Sequence, residues 1–165
     1  MNATDKRETK CKVVIQQCLT AQLKVAPEEY VSIDRGIVVF ISFMEGATED
    51  DALKTAKSVL NVKLCETGEF ADGGPLVSVL DLPGKVLIVP QACIAGKRKG
   101  NNVQYHGLVA KEKGKCLYEV FVSECKKLAS AKCTERESWV RCGNYGTRQV
   151  LSMETNGPFT HVFDY

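Results

Sequence analysis

The sequence predicts an α+β fold: a largely antiparallel, barrel-like sheet core with two main helices. Three observations carry this. Apolar, β-branched runs recur along the chain, bounded by Gly, Pro, Asn and Asp. Two stretches only carry apolar residues at helical spacing. No internal repeat, low-complexity tract or interdomain linker interrupts them. The expected organisation is a flexible, charged tail over residues 1–10 and one domain over 11–165.

Cys11 to Leu19 (CKVVIQQCL) is rich in β-branched residues, and Gln22 to Val25 can pair with it. Gly36 to Phe43 (GIVVFISF) is continuously apolar, as in a strand buried on both faces. Thr48 to Leu60 is a helix. Thr48 caps it, Glu49, Asp50 and Asp51 suit the positive end of its dipole, and Ala52, Leu53, Ala56, Val59 and Leu60 form one apolar stripe. A short strand follows over Asn61 to Cys65, then a loop over Thr67 to Pro75.

Val77 to Leu80 and Lys85 to Val89 flank Asp81-Leu82-Pro83-Gly84, a hairpin signal. Ala95 to Gly107 is a polar loop with a basic cluster. Lys115 to Ser130 is the second helix, with Leu117, Val120, Phe121 and Leu128 on one face. Ser138 to Cys142 and Gln149 to Met153 pair across Gly143-Asn144-Tyr145-Gly146, and Phe159 to Phe163 is the last strand.

The 165 residues suffice for one domain with a real core. A composition 44% hydrophobic and 25% charged excludes a disordered or collagenous chain. The longest uncharged apolar run falls far short of the ~20 residues that span a bilayer. The opening MNATDKRETK has no apolar stretch of the secretory kind, so a cytoplasmic location is expected. A net charge of +2 neither demands nor excludes RNA; a local basic patch would have to carry it. The eight cysteines form no CxxC pair, and most sit in apolar runs as small reduced core residues. No metal site or cofactor is expected.

Familiar catalytic sets are missing. No GxSxG, Walker A, GxGxxG or HExxH occurs, and only His106 and His161 are available to a Ser or Cys nucleophile. Two segments stand out instead. Pro90-Gln91-Ala92-Cys93-Ile94 follows the apolar strand KVLIV, where a polar Gln91 is costly unless bonded. Thr155-Asn156-Gly157-Pro158-Phe159-Thr160 lies between two strands and cannot continue either, because Pro removes a donor. Taken alone, the second segment is equally a tight turn, and Cys93 with His106 or His161 is a possible hydrolytic pair.

Together these segments resemble the signature of the D-aminoacyl-tRNA deacylases. That family carries Ser-Gln-Phe-Thr-Leu after a strand and Asn-x-Gly-Pro-Val-Thr near the C-terminus. The resemblance runs over nearly the whole chain: VVIQQCLTAQLKV, GIVVFISF, ATEDDALKTAKSVLNVKL, LDLPGKVLIVPQACIAGKRKGN, LYEVFVSECKKL and YGTRQVLSMETNGPFT follow in the family's order. Pro90, Ala92 and the segment TNGPFTH are similar to the family's animal paralogue branch. Cys93 departs even from that branch, where Thr is usual.

The resemblance implies an enzyme that cleaves the ester of mischarged aminoacyl-tRNA without a protein nucleophile. Backbone amides around Ala92 and Cys93 would bind the carbonyl oxygen, Gln91 would orient the substrate or its terminal adenosine, and the RNA 2′-OH would assist. Pro90, Asn156, Gly157, Pro158, Phe159 and Thr160 would shape the pocket and its chirality, with Gly157-Pro158 reaching in from the partner subunit of a homodimer. Similarity to the animal branch implies a trans Gly157-Pro158 bond, a widened pocket, and L-alanyl-tRNA(Thr), glycyl- and D-aminoacyl-tRNA as candidate substrates. Lys97, Arg98 and Lys99, just past the first motif, are the expected tRNA contacts. A cysteine hydrolase using Cys93 and a non-catalytic tRNA-binding module remain the alternatives.

Overall fold

The run Gly36–Phe43 forms the strand around which the computed structural model is built; the structure describes residues 7–68 and 74–165. The elements are β1 (Cys11–Cys18), β2 (Thr20–Ala26), β3 (Glu29–Ile33), β4 (Gly36–Phe43), α1 (Glu49–Asn61), β5 (Lys85–Pro90), β6 (Lys97–Lys99), β7 (Asn102–Gln104), α2 (Lys111–Lys132), β8 (Val140–Cys142), β9 (Val150–Glu154) and β10 (Thr160–Asp164). Short 3-10 helices cover Ala92–Ala95 and Thr134–Trp139.

A five-stranded sheet has the order β10-β1-β4-β5-β8, and a three-stranded sheet the order β3-β2-β9. Side chains alternate across β4. Ile37, Val39, Ile41 and Phe43 join one core with Val13, Ile15 and the helix residues Ala52, Ala56, Leu60, Leu117 and Phe121. Val38 joins a second core with Cys18, Leu23, Leu87 and Val89. The large sheet thus lies between the two helices and the small sheet, which is why β4 is apolar at every position but Ser42.

The α+β class holds, and most strand pairs are antiparallel, but the two sheets do not close into a barrel. Two expected pairings are replaced. Lys85 to Val89 does not fold back on Val77 to Leu80. Val77 bridges Cys65, residues 78–84 wind through a turn, and β5 runs parallel to β4. β8 likewise runs parallel to β5 rather than against β9, which pairs with β2. The reason is shared: α1 and α2 are crossover connections, so β4-α1-β5-α2-β8 is a parallel unit. Val86 to Val89, all buried, are the continuous apolar run such a strand needs.

Thr48 caps α1 through a full capping box: its amide donates to Asp51 Oδ2 at 2.8 Å and its Oγ1 accepts from the Asp51 amide at 3.2 Å. Leu53, expected in the apolar stripe, is exposed; Thr55 is buried instead and donates its hydroxyl to the Asp51 carbonyl. α2 runs longer than expected at both ends. Asn61 to Cys65 contributes a single bridge rather than a strand, and the polar loop Ala95 to Gly107 contains the β6–β7 hairpin. Most of the expected tail lies outside the described residues, as does the centre of the Thr67–Pro75 loop; Lys10 is already tied to the sheet through Tyr165 and Met44.

All eight cysteines are free. Burial pushes the thiols of Cys11 and Cys18 up to about 11 and that of Cys65 up to about 12. These are inert core thiols.

Candidate active site

The first motif begins where β5 ends. The Gln91 amide donates to the Ile41 carbonyl at 2.9 Å, continuing the β4–β5 ladder by one bond. The chain then turns into the 3-10 helix Ala92–Ala95 with Gln91 at its cap and no capping side chain. The first amides of such a turn have no partner within it. Among the described residues, the Ala92 and Cys93 amides donate no hydrogen bond, and both residues are exposed.

Two adjoining clefts flank this turn. One, of about 330 Å³, is lined by Pro90 to Cys93 together with Val109, Lys111, Tyr145, Gly146 and Thr147. The other, of about 430 Å³, shares Pro90, Gln91, Gly146 and Thr147 and adds Leu23, Phe40, Val89, Arg148, Gln149 and Leu151. A larger groove of about 500 Å³ lies beside Thr134 to Cys142 and contains no residue of either motif.

Sequence reasoning missed the segment Gly143 to Gln149 as a wall of this cleft and saw only a connection between strands. Its signals are a buried tyrosine and a close-packed glycine. Tyr118 Oη donates to the carbonyls of Gly143 at 2.8 Å and Ile88 at 3.2 Å, and the Gly143 amide donates to Ile88 O at 2.8 Å. Burial raises the Tyr118 phenol, which keeps the donor protonated. A Cβ at Gly143 would fall 2.7 Å from Leu23 and 2.8 Å from the Gln149 amide group. That space lets Gln149 close the loop, accepting from the Asn144 amide at 2.7 Å and donating to the Asn144 carbonyl at 3.1 Å. Tyr145 completes the wall by lying over Gly114 of α2 and against the Tyr118 ring, 5.6 Å between centroids.

The second motif lies elsewhere in the same chain. Pro90 shares a cross-sheet row with Ile41, Val13 and Phe163; Thr160 shares one with Gln16, Val38 and Leu87. β5 and β10 run in the same direction, so the first motif follows the C-terminal end of β5 and the second precedes the N-terminal end of β10. Three strand spacings and three residues along the sheet separate Pro90 from Thr160 by roughly 17 Å. Pro90 to Cys93 are therefore brought together, while Asn156 to Thr160 are not brought to them within one chain.

Two buried glutamines hold this second motif. Gln17 Nε2 donates to the Asn156 carbonyl at 3.0 Å and to Glu66 Oε2 at 3.1 Å, and its Oε1 accepts from the Glu66 amide at 3.0 Å. Thr160 donates its hydroxyl to Gln16 Oε1. Between these anchors the Gly157-Pro158 bond is cis, which overturns the expected trans bond. Gly157 has φ +132°, and a Cβ there would fall 2.6 Å from the Phe159 amide; only glycine fits. Phe159 and His161 pack edge to face at 4.7 Å, and His161 stacks on Phe163. His161 belongs to this aromatic ladder and His106 is exposed; neither lines the clefts around Cys93. Lys97, Arg98 and Lys99 are exposed on β6, and Arg98 Nε donates to the Gly100 carbonyl that closes the hairpin.

The comparisons with known proteins put this scaffold in a class of hydrolase. Residues 14–164 match the family model described as D-Tyr-tRNA(Tyr) deacylase. The zebrafish protein named D-aminoacyl-tRNA deacylase 2 is 49% identical over 163 residues, 94% of this chain and 99% of its own. The human protein of that name is 42% identical over 171 residues, 99% of each chain. A solved structure described as a probable eukaryotic D-amino acid tRNA deacylase superposes with a TM-score of 0.81 at 29% identity, covering 94% of this chain and 100% of that one. The chain belongs to the D-Tyr-tRNA(Tyr) deacylase family and is an enzyme acting on aminoacyl-tRNA esters. No helix among its described residues is long and apolar enough to cross a membrane.

Proposed function

We propose that the chain proofreads translation in the cytoplasm by hydrolysing the ester between a mischarged amino acid and the 3′ adenosine of its tRNA. Water adds to the carbonyl carbon, the ester bond breaks, and free amino acid and tRNA leave. The observation that carries this reading is the pair of unengaged amides at Ala92 and Cys93, in a cleft lined by neither histidine nor carboxylate. An aminoacyl ester is already reactive. Two N–H groups on its carbonyl oxygen, a fixed substrate and a placed water suffice. Gln91 orients the substrate or the terminal adenosine, and the 2′-OH of that adenosine assists the water.

A second copy of the chain supplies the remaining wall. Asn156 to Thr160 are rigidly held yet far from their own Gln91, as a segment serving a partner's cleft would be. Pro90 and this segment then shape the pocket and its chirality. Lys97, Arg98 and Lys99 contact the tRNA backbone. The named relatives support D-aminoacyl esters as substrates, and glycyl esters, which lack a side chain, are compatible with the same pocket. L-alanyl-tRNA(Thr) stays a candidate on the similarity of Pro90, Ala92 and TNGPFTH to the family's animal branch.

The test is a panel of labelled D-tyrosyl-, glycyl-, L-alanyl- and L-threonyl-tRNA. Hydrolysis of the first two with the L-threonyl ester spared is the expected result. Cleavage of the L-alanyl ester as well would mark relaxed chirality, and no hydrolysis of any would overturn the reading. Cys93 is exposed in the cleft, so its thiol needs its own test. Cys93→Ala is expected to hold kcat within about threefold. Abolished turnover in that variant, with a trapped acyl adduct on the wild-type thiol, would install a cysteine mechanism.

A further inference from the structure

The clefts on either side of Gln91 share a ledge made by Pro90, Gln91, Gly146 and Thr147. Lys111 lines one and Arg148 the other, and no carboxylate lines either. Among the described residues, neither cation makes an ion pair. Lys111 also sits against local preference. It opens α2, with Lys113 and Lys115 following, where the helix dipole disfavours cations. Arg148 is carried on the loop that Gln149 closes, so its backbone is fixed relative to Gln91. Two uncompensated cations beside an active-site turn define an environment for anions.

We propose that Lys111 and Arg148 form a phosphodiester subsite, one on each side of Gln91, that takes the phosphates of the 3′-terminal nucleotides of the tRNA. This rests on the aminoacyl-tRNA reading above. An ester held at the Ala92 and Cys93 amides places the terminal adenosine at the ledge, and the polynucleotide must leave past one of these walls. Its first phosphate lies one nucleotide from the ester. Arg offers a paired fork to a phosphate and Lys a point charge. Both are positioning residues: they act on where the adenosine lies, through its phosphate.

The experiment compares two substrates, D-tyrosyl-tRNA and D-tyrosyl-adenosine, the same ester with no phosphate. Lys111→Gln and Arg148→Gln are each expected to raise KM for the tRNA about five- to tenfold with kcat within about twofold. Each lost contact should reduce the slope of log(kcat/KM) against log[salt] by about 0.7. KM for the adenosine ester should be the same in both variants as in the unaltered protein. An equal effect on both substrates, no effect on the tRNA, or an effect from only one of the two residues would overturn the paired subsite. If the unaltered protein cleaves neither ester, the functional reading has failed, and the subsite is judged by titration with the trinucleotide CCA and with adenosine. Phosphate-dependent binding weakened by both substitutions supports it; binding indifferent to them overturns it.

Discussion

The two motifs sit at opposite ends of one sheet and are built in opposite ways. Pro90 to Cys93 is open: two amides and the Gln91 side chain make no hydrogen bond among the described residues, and the cleft beside them is solvent-accessible. Asn156 to Thr160 is pinned: buried Gln16 and Gln17 hold its two ends, and the aromatic row from Phe159 to Tyr165 packs behind it. A buried polar side chain is worth keeping only when its bonds are all made. Two of them placed under one turn fix that turn. An open amide pair can receive a developing negative charge, while a fixed rigid segment can exclude a side chain of the wrong hand. In the proposed function binding and selection are separate parts, one at each motif, and the roughly 17 Å between Pro90 and Thr160 keeps one chain from joining them.

The comparison is broken most severely at the open end. Ala92→Pro removes one amide donor at the first position of a 3-10 turn, where proline's fixed φ is tolerated. It is expected to lower kcat about 10²–10³-fold with an unchanged circular-dichroism spectrum. At the pinned end, Gly157→Ala places a Cβ against the Phe159 amide at a positive φ and should lower kcat/KM about ten- to a hundredfold by displacing the segment. Gln17→Leu leaves the Glu66 amide and the Asn156 carbonyl without their glutamine partner; urea unfolding should show a loss of about 2 kcal/mol.

A further effect appears only in alkali. Burial raises the thiols of Cys11, Cys18 and Cys65 above their ordinary value of 9.0. The unfolded chain therefore loses these protons first. Their contribution to stability is whole below pH 9 and is lost as pH rises towards about 11. Urea midpoints should hold from pH 7 to 8.5 and fall by pH 10.5, less so in Cys65→Ala.

The sequence made the open end legible and hid most of the other. Gln91 after an apolar strand marks a turn at a strand end, and the structure puts it there. The helices were legible because Thr48 caps one and period 3.6 marks both. Strand partners were not. Asp81-Leu82-Pro83-Gly84 carries hairpin chemistry, but the two crossover helices decide that β5 and β8 run parallel, and local turn residues do not encode crossover. Lys97 to Lys99 looked like a loop because three charged residues carry no strand pattern, yet their backbone pairs with Asn102 to Gln104. The wall from Gly143 to Gln149 was hidden for a different reason: its holder, Tyr118, is 25 residues away and sits on the buried face of a helix like any core residue.

The central claim is that one active site takes its amides from one copy and its Gly-Pro segment from another. Mixing Ala92→Pro with Gly157→Ala protein, after unfolding and refolding together, tests it directly. Random pairing makes about half the dimers mixed, and each mixed dimer has one site with both motifs intact, so about a quarter of full activity should return. Recovery to that level from two impaired proteins is the predicted result; activity no greater than the sum of the two separate variants would contradict it.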